Sequence, residues 1–217
     1  MSLISNISSQ IEAAQKVSPL ASPEITLLAA SKSQSATLIE EAIAGGVRVF
    51  GENRVQEAQD KWPAIRAAHP HVELHLIGPL QTNKVAQALE LFDVIQAVDR
   101  PKLADELARC QVSGVRCQKF YIQVNTGKEP QKAGILPDEA DGFIDYCVKE
   151  LALPVVGLMC VPPADQPPAP HFALLRQIVQ RHGLEKLSMG MSDDFETAIR
   201  MGSTCVRLGR ALFGERN

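Results

Sequence analysis

The chain has no block of like charge. Its 217 residues carry 22 Lys and Arg against 25 Asp and Glu, a formal net charge of −3. Without a basic stripe it has no electrostatic means of gripping a phosphate backbone or an anionic membrane surface. No nucleic-acid partner is therefore expected. It also lacks an apolar run long enough to cross a bilayer. Met1 to Ile7 lack the basic start and long apolar stretch of a secretory leader, so no membrane partner is expected either. The five cysteines, Cys110, Cys117, Cys147, Cys160 and Cys205, are odd in number and form no C-x-x-C pair. That excludes a disulfide framework and a zinc site and points to a reducing, cytoplasmic compartment. Cys147 and Cys160 lie in apolar surroundings and read as buried thiols. Aromatics make up 5% of the chain, and only Tyr121 and Tyr146 could supply a phenol. There is no composition break, no linker and no short repeat. One domain over residues 1–217 is expected, as a monomer.

What is present is ordinary globular composition, 45% hydrophobic and 22% charged, enough for one large core. Ile25 to Lys32 is a continuous apolar run ending in one lysine. Such a run reads as a strand buried on both faces, the kind found in parallel sheets. Similar runs follow at Val47–Glu52, Val72–Gly78, Val94–Val98, Phe120–Asn125, Pro154–Val161, Leu187–Met191 and Val206–Gly209. Helical patterns alternate with them: Ser35–Ala44, Asn53–Ala68, about Gln81–Leu91, Pro101–Cys110, a helix opened by Pro137, Phe172–Arg181 and Asp193–Met201. A further helix carries Ile4, Ile7, Ile11 and Ala14 on one face, with Ser2 as a cap. Trp62-Pro63 suggests a break or a kink. The proline-dense stretch 162–170 reads as irregular and is a candidate lid. Asp193 and Glu196 have capping-box spacing. Eight strand–helix alternations predict a closed (β/α)8 barrel with an extra N-terminal helix. An open doubly wound sheet with fewer strands is the alternative.

In such barrels the chemistry lies at the C-terminal ends of the strands, and phosphate is often held after the last two. Lys32 leaves the first strand there. An amine losing hydration gives up its proton more readily and can attack an aldehyde; the plainer reading is a lysine reaching solvent. Ser188 to Ser192 and the segment from Gly202 to Gly214 offer small residues and hydroxyls that suit an anion or simply make turns. Arg207 can only donate, so a ring nitrogen facing it stays unprotonated. Asn53 could reach a ligand or cap a helix. His69, His71 and His75 are close in sequence but lack carboxylate partners, so no metal is expected.

Taken in order, Ala30-Ser31-Lys32, Phe50-Gly51-Glu52-Asn53, His75 to Lys84, Gly157-Leu158-Met159-Cys160, Leu187 to Asp194 and Val206-Arg207-Leu208-Gly209 resemble the motifs of the pyridoxal phosphate homeostasis protein family. The resemblance runs over nearly the whole chain. It implies a barrel like the N-terminal domain of alanine racemase and a pyridoxal 5'-phosphate held as a lysine aldimine on Lys32. Ser188, Ser192, Gly209 and Arg210 match phosphate-loop positions. Arg207 matches the arginine facing the pyridine nitrogen, and Asn53 a residue near the ring. Arg210 stands where a small residue or threonine is frequent. The family stores and delivers the cofactor, so the expected role is vitamin B6 homeostasis without catalysis. PLP-requiring apo-enzymes are expected recipients, with indirect effects on amino-acid balance. Two alternatives remain at this point: a weak racemase-like enzyme on small amino acids, and a cofactor-free barrel enzyme using Lys32 as an aldolase-type base on a phosphorylated sugar.

Overall fold

A computed structural model describes residues 3–111 and 119–214. Ser2 and Cys117 lie outside the described residues. The order of elements is α1 (Leu3–Lys16), β1 (Thr26–Ala30), α2 (Ala36–Ala44), β2 (Val49–Glu52), α3 (Val55–Ala68), β3 (Glu73–Leu76), α4 (Val85–Leu91), β4 (Val94–Val98) and α5 (Pro101–Gln111). Then come β5 (Lys119–Gln123), α6 (Ala140–Asp145), β6 (Val155–Met159), α7 (Pro168–Arg181), β7 (Lys186–Ser188), α8 (Phe195–Arg200), β8 (Cys205–Leu208) and α9 (Arg210–Phe213). A 3-10 turn, Thr82–Lys84, leads into α4, and a π-helical turn, Tyr146–Glu150, follows α6.

The eight strands form a closed barrel in sequence order, every neighbouring pair parallel. The open-sheet alternative is thus excluded. Closure pairs β1 with β8, with Leu28 opposite Arg207 and Ala29 opposite Leu208. That pairing carries the site, because it sets the first strand's exit beside the last strand's. The expected N-terminal helix is α1, which buries Ile7, Ile11 and Ala14. It packs on α8 and α9, and the Ser18 hydroxyl donates to the Arg200 carbonyl at 2.7 Å.

Three local expectations are corrected. α3 runs unbroken through Pro63. The buried Trp62 indole, 5.3 Å from the Phe50 ring, anchors the helix there, so packing outweighs the lost backbone bond. The 162–170 stretch is not wholly irregular, since α7 begins at Pro168. Prolines are tolerated in a first helical turn, whose N–H groups have no intrahelical acceptors. The capping box does not form: Asp194 is the N-cap without a side-chain cap bond, and the Asp193 carboxylate accepts from Arg210 instead.

Cys147 and Cys160 are fully buried, as expected, and Cys205 nearly so. Burial pushes the thiols of Cys147 and Cys160 up to about 12 and that of Cys205 in the same direction. A raised thiol pKa means little thiolate at pH 8, and the thiolate is the nucleophile. Iodoacetamide at pH 8 is expected to leave all three unmodified in the folded protein and to label all three in denaturant. Peptide mass analysis reads this directly, and rapid native labelling of Cys160 would mean the barrel opens.

Candidate binding site

β1 ends at Ala30, two residues before Lys32. The chain leaves the barrel there in a tightly held bend. Ser33 adopts φ 61°, a left-handed conformation that a non-glycine residue takes only when its surroundings impose it. The surroundings are polar groups of α3. The Glu57 carboxylate accepts from the Ser33 N–H at 2.5 Å. The Lys61 ammonium donates to the carbonyls of Ser31 and Gln34 at 3.0 and 3.3 Å. Glu52, at the end of β2 and fully buried, ties this together. Its Oε1 accepts from the Ser31 hydroxyl at 2.7 Å and the Trp62 indole at 3.0 Å, and pairs with Lys61 at 2.8 Å. The backbone on both sides of Lys32 is therefore clamped, while its half-buried side chain makes no hydrogen bond or ion pair among the described residues.

The facing wall comes from the ends of β7 and β8. Gly190 has φ 96°, and a Cβ there would lie 2.5 Å from the Ala198 methyl. Only glycine fits, and the turn it permits lets the Gly190 carbonyl accept from the Arg207 N–H at 2.9 Å. The Ser192 hydroxyl accepts from the Ala211 N–H at 3.3 Å. Together these segments and Lys32 enclose a cleft of ≈ 460 Å³ lined by Lys32, Gln34, Ser192, Arg207, Gly209 and Arg210, among others. At Gly209 the chain passes Ala30 with only ordinary contacts to spare, since a Cβ would sit 3.5 Å from its carbonyl oxygen.

Arg207 is 5% exposed. Its guanidinium donates to Ser188 Oγ and to the Cys160 carbonyl, each at 2.8 Å. Burial pulls its pKa down, but an arginine still remains a donor at neutral pH. Arg210 is tied to Asp193 at the exposed rim, which offsets the negative charge Asp193 brings to the cleft.

Five of the seven residues singled out from sequence thus share the cleft: Lys32, Ser192, Arg207, Gly209 and Arg210. Ser188 does not line it. It is fully buried behind Arg207, and its hydroxyl donates to Gln96 Oε1 at 2.5 Å. Asn53 lines a separate hollow with Gln81, Lys84 and Arg100. No residue of 162–170 lines the cleft; Pro162 instead accepts from the Lys132 ammonium at 3.2 Å through its carbonyl. Sequence reasoning passed over Glu52 as an anchor, Lys61 and Gln96. Glu52 and Gln96 left a signal, as polar residues within apolar strand runs. Lys61 left none, because it looks like any solvated helix lysine. Neither tyrosine reaches the cleft: Tyr121 lines a cavity at the N-terminal mouth of the barrel, and Tyr146 donates to Asp105 at 2.5 Å on the surface. No helix among the described residues is long and apolar enough to cross a membrane.

A family profile described as the alanine racemase N-terminal domain matches residues 5–217. A pyridoxal phosphate homeostasis protein of Vibrio cholerae serotype O1 is 39% identical over 99% of this chain and 95% of its own length. PipY of Synechococcus elongatus PCC7942, solved without PLP, superposes with a TM-score of 0.82 at 36% identity, covering 96% of this chain and all of that one. The same protein solved with PLP bound gives 0.80 at 34% identity over the same shares. Matching lengths at these identities make this chain a member of the pyridoxal phosphate homeostasis protein family, built on the alanine racemase N-terminal fold.

Proposed function

We propose that the chain binds pyridoxal 5'-phosphate in the cleft between β1 and the ends of β7 and β8, attached to Lys32 as a Schiff base, and acts as a non-catalytic carrier in vitamin B6 homeostasis. The observation that carries this reading is an amine without a partner among the described residues, on a clamped backbone, in one cleft with Arg207, Ser192 and Gly209. The ≈ 460 Å³ volume is in the range of small-ligand sites. Bound pyridoxal phosphate supplies an aldehyde that a primary amine captures reversibly.

The residues divide the work. Lys32 holds the aldehyde end. Ser192 and the glycine backbone at 209 suit the phosphate, with the Arg210 side chain engaged by Asp193 rather than free to help. Arg207 meets the ring nitrogen as a donor only, which leaves that nitrogen unprotonated and the ring a weak electron sink. No phenol stands in the cleft to move a proton at an amino-acid α-carbon, which argues against the racemase-like alternative. The rim formed by Met191, Asp193 and Arg210 is exposed, which suits release of the cofactor to an apo-enzyme.

Borohydride reduction of the holoprotein followed by peptide mass analysis tests the reading. The expected product is a single pyridoxyl adduct on Lys32, absent from Lys32→Ala along with the visible absorption band. An adduct elsewhere, or a band that survives in Lys32→Ala, overturns it. Holoprotein incubated with L- or D-alanine in deuterium oxide is expected to leave the α-proton in place.

A further inference from the structure

The barrel interior holds a chain of polar side chains that the cleft itself does not use. Arg207 donates to Ser188 Oγ at 2.8 Å, and the Ser188 hydroxyl donates to Gln96 Oε1 at 2.5 Å. Gln96 Nε2 lies 2.8 Å from His75 Nδ1, and His75 Nε2 lies 2.7 Å from Glu73 Oε1. Arg207, Ser188, Gln96 and His75 are all at most 5% exposed. Glu73 opens into the cavity of ≈ 570 Å³ at the N-terminal mouth. The chain draws on β8, β7, β4 and β3, so it crosses the barrel and joins its two mouths.

The relay has one favoured polarity. A guanidinium has donors and no acceptor. Ser188 Oγ therefore accepts from Arg207 and sends its own hydrogen to Gln96. The Gln96 amide must turn its oxygen to Ser188, which leaves its NH2 for His75. Nδ1 of His75 must then accept, so the ring proton sits on Nε2 and points at the Glu73 carboxylate. Heavy-atom positions alone settle neither the amide orientation nor the tautomer. The fixed charge at the far end favours this order, because the other acceptor beside Ser188 and Gln96 is the weaker Cys205 sulfur.

We propose that Gln96, with His75 behind it, is a positioning residue for Arg207: it keeps Ser188 an acceptor for the guanidinium and makes that hold answer to the protonation of His75 at the opposite mouth. A proton on Nδ1 would set an N–H against the amide NH2. Relief requires the amide to turn over, and the Ser188 hydroxyl hydrogen then loses the Gln96 oxygen and keeps only the weaker Cys205 sulfur in reach, while its oxygen is shared between two donors. The charged and titratable groups that line the same cavity as His75 are Glu73 on its own strand, Lys119 and Tyr121 on β5, Cys205 on β8, Lys186 on β7 and Glu185 just before it. Burial keeps the Tyr121 phenol and the Cys205 thiol protonated. Glu73 is the carboxylate bonded to the ring. The inference deepens the pyridoxal phosphate reading and rests on it for the cofactor measurements only.

Nitrogen-15 NMR of the whole protein reads the tautomer without any cofactor. The expected tautomer of the neutral ring is Nε2–H with bare Nδ1. In Gln96→Glu a carboxylate faces both Ser188 and Nδ1, so His75 is expected to hold two protons at a pH where the wild-type ring is neutral. Because Ser188 keeps its acceptor, the Kd for pyridoxal phosphate should stay within about twofold of wild type. Gln96→Leu removes both bonds. Its Kd is expected to rise about tenfold, the upper end of what one neutral hydrogen bond contributes, and the pH profile of the bound cofactor's visible band should no longer track His75. A residue that merely filled space would lower Tm in both variants and leave Kd and pH profile alone. A neutral ring protonated on Nδ1, or a Gln96→Leu protein with wild-type Kd and pH profile, overturns the inference. If Gln96→Leu does not fold, the wild-type tautomer and the Gln96→Glu spectrum decide. A missing Lys32 adduct in wild type would sink the cofactor reading and leave the tautomer result standing.

Discussion

Glu52→Ala is expected to lower the stability of the fold by about 3–5 kcal/mol, the cost of removing one partner from a buried ion pair. The carboxylate is fully buried, and Lys61, 11% exposed at its side chain, stays behind. Its three polar contacts among the described residues, to Ser31, Lys61 and Trp62, fall on Oε1. Oε2 has no hydrogen-bond partner among the described residues, so the polar part of the effect runs through one oxygen. Lys61 keeps the Ser31 and Gln34 carbonyls and a 3.5 Å approach to Glu57, which offsets part of the loss. Urea unfolding measures the energy. The functional consequence is separate: with the Ser31 hydroxyl freed from Glu52, the Lys32 bend loses one of its anchors, and the yield of reduced pyridoxyl adduct should fall even where the protein is folded. A loss below about 1 kcal/mol would mean the network is no stronger than a surface pair.

Gly157→Ala should be at least as damaging, at about 3 kcal/mol or more. An added Cβ would lie 2.0 Å from the Lys186 carbonyl oxygen and 2.6 Å from its carbon. The obstacle is the backbone of the paired strand, so no rotamer change relieves it. The strands must part, and they are the pair that sets Leu158 against Leu187 and Met159 against Ser188. Moving β7 moves Ser188 and the Gly190 turn away from Arg207. Loss of cofactor binding should therefore accompany the loss of stability. Gly142→Ala in α6 is the control. A Cβ there meets nothing within 4 Å, and exchanging a helical glycine for alanine should raise stability by about 0.5–1 kcal/mol. Equal effects at the two positions would refute the steric account.

The strands were legible because parallel strands buried on both faces appear as unbroken apolar runs. β4 begins and ends at the expected residues, and α5 starts at Pro101 as expected. Ends were less legible. β1 stops at Ala30 and not at Lys32, and β7 stops at Ser188, because the following residues bend into the site where side-chain and turn bonds replace the ladder. Trp62-Pro63 and Pro168 misled for the same reason: a proline's local cost was weighed without the burial or helix position that offsets it. The short α9 after Gly209 left no periodicity to read.

For the site, the residue types were legible and their grouping only in part. A lone lysine after an apolar strand, an arginine on the last strand and a serine-glycine turn are chemical signals carried by the chain itself. Local patterning also determined that β and α alternate eight times, which places strand ends at one mouth. Which side chains meet there was decided by closure of β1 on β8 and by the 3.3–3.5 Å-scale fit of loops around them. Closure drew Ser188 behind Arg207, turned Asn53 into a neighbouring hollow, and set Lys61 under the Lys32 bend. The physical reason is range. Hydrophobic period and turn chemistry act over a few residues, whereas an ion pair or a hydrogen bond across the barrel joins residues that nothing in their own neighbourhoods relates.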